Sequence, residues 1–214
     1  MFLFMILLFP TVLAFCCVHS NKKIYGFLIS LGAFTGVLVS GFTAAFSYMH
    51  RIPEYSFVSN FFYYFLKEYA LPLILVYALY FFLTKDSVEF RVKAFFPVVA
   101  SFFAIYMPYC IIAASSAAFS FYLLFVKPVV MLSMIFLCSL ITYKIYCSAQ
   151  EKNIKGIIAY SFCAILILAV PAVLESLWLM CIALPVVYSV AVCYALVSLV
   201  LFFMNSRQNA RFLF

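Results

Sequence analysis

The chain has 214 residues, 70% of them hydrophobic and only 9% charged, with a formal net charge of +7. A soluble domain carries about 25% charged residues, so the deficit excludes a soluble catalytic module and points to lipid as the solvent. The basic residues lie in short connections, where they set orientation at a membrane rather than recruit nucleic acid.

Seven apolar stretches are long enough to cross a bilayer, which takes about 17–25 residues. They fall at 1–19, 24–48, 61–84, 94–113, 118–143, 156–174 and 177–204. The runs are too long and too uniformly apolar for the alternating strands of a barrel. The expected fold is therefore all-α: a polytopic transmembrane helix bundle of about seven spans, forming a single domain over 1–214, with several spans kinked by proline. The first stretch lacks the positive leading region of a signal peptide and reads as a helix. Leu13-Ala14-Phe15-Cys16 has the outline of a lipoprotein cleavage box, but Phe15 is too bulky for it.

The second span repeats small residues every four positions: Gly32, Gly36, Ser40 and Ala44. Such a strip lets another helix approach closely. It suits packing within the bundle, and it also offers a face to a membrane-protein partner or a second copy of the chain.

The third span opens with an aromatic cluster, Phe61 to Phe65, followed by Lys67, Glu68 and Tyr69. Aromatic clusters favour the membrane interface. Lys67 and Glu68 point about 100° apart on a helix; Lys67 is long enough to snorkel outward, whereas Glu68 is expected to face the bundle. The fourth span brings Tyr106 and Tyr109 to the same level.

The fifth span places Lys127 and Pro128 inside the run Phe121–Ser133. Counted from residue 118, Lys127 lies roughly 13–15 Å deep at 1.5 Å per residue. A cation at that depth needs a partner, water or a path to the interface. Glu68 lies at a similar depth, so an intramembrane Glu68–Lys127 pair is expected. Glu175, beside Trp178, reads as a charge closing the sixth span at the interface, and Trp178 as an interfacial anchor.

Prolines reinforce the pattern. Pro10, Pro72, Pro108, Pro128, Pro171 and Pro185 lie within spans, and each frees the carbonyl four residues earlier. Pro72 frees that of Glu68 and Pro128 that of Leu124. Freed carbonyls at depth need partners from protein or water, and with the two charges they outline an outer-facing polar pocket of Glu68, Lys127, Tyr69, Tyr106 and Tyr109.

Orientation follows from the distribution of Lys and Arg. With seven spans, Lys22, Lys23, Lys85, Arg91, Lys93, Lys144, Lys152, Lys155, Arg207 and Arg211 share one side, and Arg51 is alone on the other. This bias predicts an external N-terminus and a cytoplasmic C-terminus. No Asn-x-Ser/Thr acceptor is present, which suits a bacterial inner membrane.

Catalytic signatures are missing. His19 and His50 fall at opposite membrane edges, the single Asp86 is in a connection, and no nucleophile elbow or phosphate-binding loop occurs. The eight cysteines form no CxxC pair and lack His at a metal-ligand spacing. Catalytic residues, metal and cofactor are therefore all read as none, and the chain as more in keeping with a non-enzyme. Two readings remain: a small permease or transporter subunit handling an unidentified solute in the bilayer, and a non-catalytic membrane-complex subunit or assembly partner.

Overall fold

A computed structural model describes residues 8–9, 11–12, 22–47, 56–85, 87–113 and 120–208. The expected first span lies largely outside the described residues, as do His19, His50, Arg51, Asp86, Ser115, Ser116 and Arg211. The described chain is helical, with no strand among the described residues. Helix α1 is Lys22–Ser47, α2 is Phe57–Leu83, the short α3 is Val88–Lys93 and α4 is Phe95–Ala113. Then come α5, Tyr122–Gln150, α6, Ile154–Leu179, and α7, Leu184–Gln208. All but α3 are long and apolar enough to cross a membrane, so this is an integral membrane protein with an all-α bundle.

Burial identifies the middle of the bundle. In the most apolar stretches of α4 and α5, 67% is buried, against 17–28% in the other four spans. Helix α1 packs on α4, and α5 contacts α4, α6 and α7, while α2 reaches α1, α4 and α6. Phe102, Phe103, Met107, Met134 and Ile135 fill the interior. The outer helices turn residues such as Phe34, Phe42, Phe162 and Leu196 outward. In lipid that exposure carries no hydrophobic penalty.

Gly32 and Gly36 explain the close contact of α1 with α4. A Cβ on Gly32 would sit 2.0 Å from Ser101 Oγ and 2.2 Å from the Val98 carbonyl oxygen. One on Gly36 would lie 2.9 Å from the Phe102 carbonyl oxygen. Ser40 is half-buried, its hydroxyl without a hydrogen-bond partner among the described residues, and Ala44 is exposed. The strip thus begins in an internal helix contact and ends on the surface.

Helix boundaries depart from the sequence expectations at three informative points. Helix α2 starts at Phe57, four residues before 61, directly after Ser56 in an extended conformation. Helix α5 begins after Ser120, whose hydroxyl accepts from the Leu123 amide, and runs on to Gln150. Lys144 is therefore an exposed helical residue, and the connection to α6 shrinks to a tight turn around Lys152 and Asn153, where the Asn153 side chain caps Gly156. Helix α6 does not stop at Glu175; it continues to Leu179 and turns through Met180–Ala183, with Cys181 and Ala183 at positive φ.

Candidate functional site

Two local distortions shape the site. Residues Tyr64–Ala70 of α2 and Tyr122–Val126 of α5 are π-helical. In both, the last wide bond is made by the residue just before a proline: Leu71 N–H to the Leu66 carbonyl, and Lys127 N–H to the Tyr122 carbonyl. Proline supplies no N–H and crowds the preceding turn, and a wider turn relieves the crowding. The missing bond is then felt one residue earlier than a regular helix predicts. In the wide register the partner lost at Pro72 is that of the Lys67 carbonyl. The Tyr106 hydroxyl of α4 donates to that oxygen at 3.3 Å.

These segments and α6 bring three ionisable side chains together. Lys127 Nζ donates to Glu68 Oε2 at 2.6 Å and to Glu175 Oε1 at 2.5 Å. The Tyr69 hydroxyl donates to Glu175 Oε2 at 2.5 Å. Lys127 also sits 5.9 Å from the centre of the Tyr64 ring. The Lys127 and Glu175 side chains are each 3% exposed, while that of Glu68 is 13% exposed. Glu175 thus has both oxygens occupied, whereas among the described residues only Lys127 reaches the Glu68 carboxylate.

Lys67 turns away from this cluster. Its Nζ returns toward the start of α2, reaching the Tyr63 hydroxyl at 2.5 Å and lying 4.6 Å from the Tyr63 ring centre. Tyr109 stands beside Tyr106 with ring centres 6.2 Å apart, at the margin of the core. Tyr122, buried on the wide turn of α5, stacks on Trp178 with centroids 4.9 Å apart. Trp178 therefore packs against α5 instead of serving only as an interfacial anchor.

Glu175 is the residue that sequence reasoning misplaced. Its carboxylate is the second acceptor of the buried ammonium, on a helix that extends past it by a turn. A signal was available: α6 has no other acidic residue, so a carboxylate in that run needed a partner. Lys127 also lies nearer the start of its helix than a count from residue 118 gives. With the helix starting at Phe121, the lysine lies about 9 Å along it. Glu175 is about 6 Å from the end of α6 by the same rise.

Glu68, Lys127 and Glu175 lie toward the starts of α2 and α5 and the end of α6. The opposite end of the bundle carries Lys85, Arg91, Lys93, Lys152 and Lys155. There Arg91 donates to the Thr84 carbonyl at 2.5 Å and lies over the Phe81 ring, while Lys93 pairs with Glu89. No group of three or more metal-ligating side chains is present among the described residues. Comparison with family models, curated proteins and solved structures finds no match.

Proposed function

We propose that the protein is a small permease, or the membrane subunit of one, with Glu68, Lys127 and Glu175 as its working centre. One observation carries this reading: a single buried lysine is shared by two carboxylates from two other helices. Holding a bundle together needs at most one acid for one base, and even that pair offers little net stability over apolar packing. A second carboxylate leaves one negative charge in excess when all three groups are ionised. Such a surplus is expensive in an apolar bundle, and it gives the centre something to exchange. The proline-ended wide turns on α2 and α5 put Glu68 and Lys127 on backbone that lacks its full set of internal bonds.

In this reading the centre faces the outer side, because the basic connections occupy the other end and positive charge stays in the cytoplasm. The N-terminus is then external, the C-terminus cytoplasmic and the membrane a bacterial inner membrane. Tyr69, Tyr106 and Tyr109 flank the solute path, with Tyr69 and Tyr106 holding Glu175 and the Lys67 carbonyl in place.

The alternative, an assembly subunit docking through the Gly32/Gly36/Ser40/Ala44 face, has less support. Gly32 and Gly36 are already used by α4, leaving only the Ser40–Ala44 end for a partner. Proteoliposomes challenged with charge-fractionated small metabolites under an imposed pH gradient test the choice. The permease reading expects uptake of at least one fraction by the wild type and none by folded Lys127→Met. No uptake by folded wild type, together with one membrane protein co-purifying in fixed proportion, would favour assembly.

A further inference from the structure

We propose that the species held by this centre is a single proton, carried at neutral pH on one of the two carboxylates, Glu68 or Glu175, and exchanged with water through Glu68. The inference deepens the permease reading by naming the coupling ion, and it rests on that reading for the proton's purpose but not for its presence.

Charge and geometry together carry it. Two carboxylates and one ammonium leave one uncompensated negative charge. At Glu175, 3% exposed and with both oxygens engaged, water cannot screen that charge. Sodium or another metal ion would have to bind beside an ammonium that is already 2.5–2.6 Å from both carboxylates, and repulsion between the two cations opposes this. A proton needs no coordination sphere. It forms one O–H bond on a carboxylate oxygen, makes the centre neutral, and returns to water without any electron moving.

The environment of Glu68 favours it as the port. Its side chain is the most exposed of the three. It contacts Lys127, and within its electrostatic reach lie Tyr122 on α5, Glu175 on α6, Tyr106 and Cys110 on α4, and Tyr64 and Tyr69 on its own helix. Lys127 is the only cation in that set. When the proton leaves, Lys127 is held by both acids; when it returns to Glu68, Lys127 is held by Glu175 alone. Proton release therefore tightens α2 onto α5, and uptake loosens it. This is a direct link between protonation and helix contact.

The test is infrared spectroscopy of the full chain in lipid nanodiscs at neutral pH, with no solute present. Wild type is expected to show one protonated-carboxyl carbonyl band, sensitive to deuterium. Glu68→Gln and Glu175→Gln each leave one acid facing one base, so each is expected to lose the band entirely. A wild type without the band, or a band that survives in either variant, would overturn the proposal. Lys127→Met, if it folds, is expected to double the band, and an unchanged band in that variant would count equally against it. Since no solute is used, a positive result with failed uptake would sink the permease reading alone.

Discussion

Removing the shared cation is the sharpest perturbation available. In Lys127→Met the two carboxylates lose contacts of 2.6 and 2.5 Å. With all three groups ionised and an effective dielectric constant of about 20, each contact is worth about 6 kcal/mol of gross attraction. Desolvation of the three groups cancels much of this, so the net loss from deleting one partner of a buried pair is about 3–5 kcal/mol. For a chain of this size, that lowers the unfolding midpoint by about 6–20 °C, measurable by thermal unfolding of the detergent-purified protein. Glu68→Gln should cost least, since Lys127 and Glu175 remain a matched pair. Glu175→Gln should cost more, because it disturbs Lys127 and Tyr69 together. Combining Lys127→Met with both Gln substitutions removes every unmatched charge. The triple variant should therefore be more stable than Lys127→Met alone, since buried charge clusters replaced by neutral groups of similar size are often neutral or stabilising. A triple variant whose loss equals the sum of the three single losses would refute the reasoning, because additivity means the groups do not interact.

Other outcomes follow from the same geometry. Gly32→Ala should weaken the α1–α4 contact by about 1–3 kcal/mol, since its Cβ would meet backbone and Ser101; Gly41→Ala, with nothing within 4 Å of the added carbon, should be neutral or slightly stabilising in the same unfolding assay. Tyr69→Phe should cost about 1–3 kcal/mol by leaving one Glu175 oxygen without its donor. Pro72→Ala restores a backbone amide to the wide turn of α2, so Tyr106→Phe should cost less in that background than in wild type, read as a double-mutant cycle. Cysteine labelling in intact cells should place Lys85, Lys93 and Lys152 positions on one aqueous side and Ser56 on the other.

The bundle was readable from the sequence because lipid imposes a coarse, strong rule: backbone polar groups must be satisfied within helices, so each span is a long apolar run. Glu68 and Lys127 stood out because a charge within such a run has few innocent explanations. Glu175 did not, since it lay near Trp178 and four residues before the end of α6, where an interfacial charge is ordinary. Only the tertiary arrangement reveals that the N-terminal part of α2 packs on α6 and carries Tyr69 to it. The π-helical turns were half legible. Pro72 and Pro128 marked where backbone bonds would fail, but how the helix absorbs the loss depends on whether a neighbour such as Tyr106 can cover the leftover carbonyl. The fate of the small-residue strip was likewise a question of the facing surface: nothing in Gly32 or Gly36 says that Val98, Ser101 and Phe102 of α4 are what they touch.

The central claim is that one amine is shared by two acids, and the most direct measurement is solid-state NMR of the protein in lipid. With lysine side-chain nitrogens and glutamate carboxyl carbons isotopically labelled, the Nζ signal that disappears in Lys127→Met can be assigned to that residue. Its dipolar dephasing is predicted to reflect two carboxyl carbons in direct contact, dropping to one in Glu68→Gln and to one in Glu175→Gln when glutamine is left unlabelled. A Lys127 signal that dephases against one carboxyl carbon or none in the wild type would contradict the account.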